Sequence, residues 1–158
     1  MNQEQERTLL RRRILGWGLA CELVDGSVDI GRDLVLATSA TGRDLALVEG
    51  MDNLTQVLKT ALTPPLGGDV FNVDFGFDGL NALAEETVPV LVQERVRVAI
   101  VTLLKKDPRV RRIVDVTLED GRLANPRAAA ARELDVRVAF ETASADTATL
   151  ALGKVQNG

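Results

Sequence analysis

The chain has 158 residues, of which 46% are hydrophobic and 27% charged, a size and balance that suit one domain able to bury a core without metal or disulfide support. There is no His and only one Cys, which removes Ser-His-Asp and Cys-His catalysis, His-containing zinc sites and any intrachain disulfide. A net charge of −4 argues against a general nucleic-acid binder, because neutralising phosphates takes a concentrated basic surface.

Aromatic residues make up 3% and Tyr is absent, so the core has to be aliphatic. Residues 1–7 are polar and lack the charged-then-apolar layout of a secretory signal, so cytoplasmic synthesis is expected. The densest apolar segment, Val88 to Leu104, is interrupted by Pro89, Gln93, Glu94, Arg95 and Arg97, so no membrane insertion is expected.

In chain order, Asn2 to Leu15 reads as a helix with Glu4 and Glu6 early and Arg11-Arg12-Arg13 late, an order that suits the helix dipole. Gly16-Trp17-Gly18 is read as its break, with Trp17 as a packing anchor. Asp33–Ala37 and Leu45–Glu49, separated by Thr38 to Gly42, read as a β-hairpin. Met51 to Leu62 sets Leu54, Val57, Leu58, Ala61 and Leu62 at helical spacing, and Pro64-Pro65 with Gly67-Gly68 ends that helix. The longest helix is predicted to begin at Glu85-Glu86 and run to about Lys106. Val88, Leu91, Val92, Val96, Ala99, Ile100, Leu103 and Leu104 form its apolar face, extended by Val98 and Val101. Beyond Asp107-Pro108-Arg109, Val114 to Leu118 and Leu134 to Phe140 alternate as half-buried strands. Asp120-Gly121 is a turn signal, and Thr147 to Val155 is a third strand with Ala148, Leu150 and Leu152 on one side. Asn125 to Arg132 is a connector. The predicted architecture is α+β in one domain over 1–158, with a helical segment at 1–18, a β-hairpin, two further helices including a long central one, and a C-terminal antiparallel meander over 110–155.

Little in the sequence carries chemistry. Cys21 has no His partner and reads as a small apolar residue. Asp25, Asp29 and Asp33 lie four apart but among glycines and β-branched residues, which fits solvated loop carboxylates better than a cation site. Glu85 and Glu86 read as helix-start residues. Asp74-Phe75-Gly76 imitates a kinase magnesium triplet, but no glycine-rich phosphate loop accompanies it. Gly16-Trp17-Gly18 lacks the rest of a dinucleotide fingerprint. No catalytic residue, cofactor or metal is expected.

Three stretches, in order, resemble the GPW/gene-25-like family of baseplate wedge proteins, the sheath initiators of contractile phage tails and related injection systems. They are Asp44 to Gly50 leading into the Asn53–Thr63 helix, the Pro64 to Gly76 loop with its Phe75-Gly76 pair, and a long helix ending in Asp107-Pro108-Arg109-Val110. The last is similar to the family's Glu-Pro-Arg motif, with Asp in place of Glu. The resemblance spans roughly Asp33 to Val138. It implies a structural, non-enzymatic protein in the baseplate of a phage tail or phage-tail-like particle, in about six copies around the tube. It also implies binding to wedge core proteins and sheath subunits, with tube or hub proteins as further contacts, and templating of the first sheath ring by strand addition. On that basis Asp107, Pro108, Arg109, Val136, Val138, Leu150 and Leu152 are expected to meet partners. The competing expectations are a lysozyme-like peptidoglycan hydrolase, which needs two carboxylates across a cleft, and a regulatory protein-binding module. For Arg109, local pairing with Asp107 competes with partner binding.

Overall fold

The computed structural model describes residues 3–23, 32–120 and 133–156. It is a mixed α+β chain whose sheets are all antiparallel among the described residues. The chain taken from its length as one domain divides into two compact units, Met1–Val57 and Leu58–Gly158.

The first unit opens with α1 (Gln3–Leu15), which has acidic residues in its first turn and Arg12 and Arg13 in its last. It ends where Gly16 takes a positive φ of 79° and donates its N–H to the Arg12 carbonyl at 3.0 Å, a conformation that costs a Cβ-bearing residue more than glycine. Three two-stranded ribbons follow. β1 (Trp17–Leu19) pairs with β6 (Leu47–Glu49), β2 (Cys21–Leu23) with β3 (Arg32–Leu34), and β4 (Leu36–Ser39) with β5 (Gly42–Leu45). They meet at one node made by the residues between the strands. Ala20 N–H donates to the Ala46 carbonyl (2.8 Å), Ala46 N–H to Val35 (2.8 Å) and Val35 N–H back to Ala20 (2.9 Å).

This node corrects the expected hairpin. Its tip is kept, from Leu36↔Leu45 to Ser39↔Gly42, but each arm changes partner beyond Val35 and Ala46. The physical reason is that only Gly16 breaks the chain, whereas Trp17-Gly18-Leu19 is itself a strand that captures Leu47–Glu49. Trp17, expected as a packing anchor, is 60% exposed. α2 (Gly50–Ala61) braces the ribbons with two side-chain amides. Buried Asn53 donates from Nδ2 to the Leu15 carbonyl at 3.0 Å. Gln56 donates from Nε2 to the Leu19 carbonyl (2.8 Å) and accepts the Cys21 N–H at Oε1 (2.9 Å). Backbone groups that the bend at Ala20 would leave unmatched are thereby paired.

In the second unit Leu58 and Leu62 are buried four residues apart, as the helical spacing required. A short helix, α3 (Gly79–Glu85), precedes α4 (Pro89–Lys106). The long helix therefore begins at Pro89, not Glu85, and is about 27 Å long. Glu86 and Val88 are extended, with ψ of 133° and 115°; for Val88 this is what the steric restriction on a residue before proline demands, and Pro89 at N1 gives up an N–H that would be unpaired there anyway. Val92, Val96, Ala99, Ile100, Leu103 and Leu104 are buried, whereas Leu91 and Val98 are exposed, so the core stripe is narrower than the apolar pattern suggested.

Asp107 leaves the helix and the chain enters β7 (Val110–Asp120), then β8 (Glu133–Thr142) and β9 (Thr147–Gln156), in spatial order β7-β8-β9. Val136, Val138, Phe140 and Leu150 are buried, while Arg137 between them is exposed, so one face of the sheet enters the core with the helices' apolar residues. The expected turn after β7 and the 125–132 connector lie outside the described residues. At the β8–β9 turn, Thr142 Oγ1 accepts the Asp146 N–H at 3.2 Å, and Ala145 sits at φ 62°.

Two substitutions check this packing. A Cβ at Gly79 would collide with the ring of buried Phe77, so Gly79→Ala should lower unfolding free energy by about 1–3 kcal/mol in urea denaturation. Ala145→Gly should raise it by up to about 1 kcal/mol by relieving the left-handed backbone. Unchanged midpoints would show that the ring and the turn are not held as described.

Candidate partner-binding surface

The turn between α4 and β7 is built from three consecutive residues. Asp107 keeps its N–H on the Leu104 carbonyl (3.2 Å) while its ψ of 115° takes the chain out of the helix, and Pro108 restricts φ at the next position. The Asp107 carboxylate then closes on Arg109. Oδ1 accepts the Arg109 backbone N–H and the Nε–H, both at 2.9 Å, and Oδ2 accepts from Nη2 at 2.6 Å. The side chains are 14% and 23% exposed. Arg109 O accepts the Ala143 N–H at 2.8 Å, which ties this turn to the β8–β9 turn.

Partial burial works against a charge on Asp107, but the guanidinium, the Arg109 amide and the opposite charge outweigh it, and the carboxyl is held below its ordinary range. Arg109, hydrogen-bonded to that carboxylate, is pushed up from its ordinary value. The fork expected to reach a partner is thus engaged within its own chain. Of the two expectations for Arg109, the local pairing with Asp107 is present in the structure. Pro108 is exposed and is the member of the motif with a surface to offer.

Of the apolar residues expected to meet partners, Val136, Val138 and Leu150 are buried within the chain's own fold. Val136 and Val138 lie on the central strand β8 with Val116↔Val138↔Leu150 in register, and Val136, Val138 and Leu150 are buried. They are core residues, because the alternation that marked them out is the signature of the covered face. Leu152 falls at the register shift of β9, where Val136 pairs with Gly153 and Arg137 with Ala151; its side chain lies outside the described residues.

What the sheet does offer is backbone. β8 is paired on both sides, so β7 and β9 each have one side with no strand against it among the described residues. The two edges differ. β7 carries Arg111, Arg112, Asp115 and Glu119 and two register shifts against β8, features that discourage edge pairing. β9 has one register shift against β8 and no charge or proline from Thr147 to Gly153, its one charge, Lys154, coming near its end. The contrast is legible in the sequence, but only once strand order makes both strands edges.

The remaining candidates have local duties. Glu86 Oε1 accepts the Thr87 and Val88 N–H groups at 3.1 and 3.3 Å, just ahead of α4. Glu85 pairs with Arg95 at 3.3 Å. Asp25 and Asp29 lie outside the described residues, and Asp33 Oδ1 accepts the Leu34 N–H at 2.9 Å. Among the described residues no three His, Cys, Asp or Glu side chains converge as a metal site, and no helix is long and apolar enough to cross a membrane.

Compared with known proteins, the chain matches no described family and no curated sequence. What the geometry defines by itself is a helix-backed, three-stranded sheet with one edge that is uncharged from Thr147 to Gly153.

Because the carboxyl of Asp107 is depressed in the folded chain, its contribution is complete above the ordinary carboxylate pKa and is lost as pH falls through the lowered folded value. Asp107→Asn should cost about 1–3 kcal/mol at neutral pH, and the gap from the parent should shrink below about pH 4. Denaturant titrations of both proteins across that range read it directly; a gap independent of pH would mean that the carboxylate charge does not hold the turn.

Proposed function

We propose that this chain is a structural adaptor of a contractile tail or injection particle, a sheath initiator of the gene-25-like kind, which carries the first sheath ring by donating a sheet edge. The observation that supports it best is the open edge of β9, uncharged from Thr147 to Gly153, in a sheet fixed to a long helix through Asp107-Pro108-Arg109. A strand that offers a row of unpaired N–H and C=O groups without charges is an aggregation hazard in a free protein. It has a use where another chain adds a strand to it, gaining main-chain hydrogen bonds with side-chain alternation setting register.

The same reading gives the fork a different task from the one first expected. Asp107 and Arg109 set the direction in which α4 delivers the sheet, and the exposed residues of the helix, with Pro108 in the turn after it, are left to meet the wedge. Strand addition also accounts for a central strand whose apolar face is core: recognition goes through backbone, so Val136 and Val138 contribute by holding the edge flat.

Hydrogen exchange on the purified chain, with and without a sheath subunit of a contractile particle from the same source, tests the edge. Amides of Thr147–Gln156 should gain protection on mixing while those of Val110–Asp120 do not; protection of β7 alone would reverse the choice of edge. In cells, deletion of the gene should leave tube and baseplate without extended sheath, and normally sheathed particles from the deletion strain would end the adaptor reading.

A further inference from the structure

The direction of each main-chain group along β9 follows from the turn that precedes it. Thr142 N–H donates to the Asp146 carbonyl at 2.9 Å, while its neighbour Ala143 donates to the Arg109 carbonyl on the other side of β8. The groups of Thr142, Phe140 and Val138 therefore face β9. In an antiparallel ladder such bonded pairs alternate with pairs that turn their groups outward. Phe140↔Ala148 and Val138↔Leu150 are the bonded pairs, so Thr147, Thr149 and Ala151, opposite Glu141, Ala139 and Arg137, turn their N–H and C=O groups to the open side. Among the described residues no backbone hydrogen bond from another element reaches these three. All three are exposed, whereas Leu150 is buried and Ala148 half-buried on the opposite, helix-backed face.

A row of alternating donors and acceptors is matched in full by another strand, and β9 is complementary to itself. Laid antiparallel on a second β9 about a twofold axis at Thr149, its outward residues meet only outward residues: Thr149 meets Thr149, and Thr147 meets Ala151 in both directions. The residues between them then set Ala148 across from Leu150 on the helix-backed face, a small side chain beside a large one. A slip of two residues either way leaves an outward residue of each strand without a mate. Facing threonines are a favourable cross-strand pair, and no like charges meet, because Thr147 to Gly153 are uncharged. The other edge, β7, would bring charges and two register shifts to the same operation.

We infer that the chain self-associates as a twofold pair through β9, joining two three-stranded sheets into one continuous antiparallel sheet with Thr149 on the axis. About six main-chain hydrogen bonds close the edge. The contact is isologous, so it stops at two copies and does not grow into a fibre. The pair hides the same N–H and C=O groups that an incoming sheath strand is proposed to take, so the second copy and the sheath compete, and the edge is covered until it is used. That competition rests on the adaptor reading; the pairing itself rests on the edge alone.

Sedimentation equilibrium of the full chain from micromolar to sub-millimolar concentration tests the pair, with hydrogen exchange at both ends of the range and thermal melts as the folding control. The parent should dimerise reversibly. Amides of Thr147, Thr149 and Ala151 should gain protection with concentration, while those of Ala148 and Leu150, bonded to β8, are protected throughout. Thr149→Pro removes an outward N–H at an edge position where proline is tolerated, and should weaken the dimer about tenfold or more. Thr149→Lys and Thr149→Glu should each dimerise several-fold more weakly, since the axis sets like charges against each other, and an equimolar mixture of the two should recover association. Thr117→Glu, opposite Arg137 on β7, should dimerise like the parent. A mixture no better than its parts, a folded Thr149→Pro chain that dimerises like the parent, or a Thr149 amide left unprotected in the dimer would each overturn the pair. A parent that stays monomeric while a sheath subunit still protects β9 would overturn the pair and leave the adaptor standing; a dimer that no sheath subunit opens would do the reverse.

Discussion

A three-stranded sheet in water is stable only if one of its faces is covered, and that requirement governs the second unit. The apolar set of β8, from Val136 to Phe140, has to meet apolar residues brought by the helices, and α4 supplies six of them along one stripe. The join between rod and sheet then has to be stiff, since a helix free to swing at its end would uncover the face it protects. A three-residue chelate of a carboxylate on the guanidinium and amide two positions on makes it so, with Arg109 also bonded through its carbonyl to the far turn of the sheet. Everything proposed about an edge offered to another chain rests on this stiffness, because an edge aimed loosely could not set a register.

The first unit solves a different problem. Ribbons of three or four residue pairs bury almost nothing: β4 and β5 are exposed at every position, and such ribbons in isolation are marginal at best. Their order comes from a closed cycle of three backbone hydrogen bonds and from two amide side chains on α2. Gln56 behaves as a piece of strand, donating to one residue and accepting from the next but one.

Much of the second unit was legible in the chain because its signals are local. Leu134 to Phe140 alternates, Leu58 and Leu62 repeat at helical spacing, and Pro108 punctuates helix from strand. The start of α4 was read four residues early because acidic residues look like a helix start; the stronger constraint is the steric effect of Pro89 on Val88. Val136, Val138 and Leu150, expected to meet partners, are buried for a related reason. Alternation says which face of a strand is apolar, and in a helix-backed sheet that face is the one that is filled. The first unit was much less legible. No feature of Trp17-Gly18-Leu19 by itself says that Leu47–Glu49 will be its partner, since the exchange of arms at Val35 and Ala46 is fixed only when all three strands arrive together. The carboxylate of Asp107 was ambiguous in the sequence between partner and neighbour, and only geometry distinguishes the two.

The cyclic node has an evolutionary corollary. Each of its arms leaves as a hairpin-like pair whose two sides lengthen together, so residues added symmetrically about Ala40-Thr41 would extend that arm without rotating Val35 or Ala46 out of phase. A single residue gained on one side only would turn every side chain between it and the hub to the opposite face. Length variation among relatives of this chain would then accumulate at the far end of that arm and in paired steps, while the spacings that run directly into Ala20, Val35 and Ala46 stay constant.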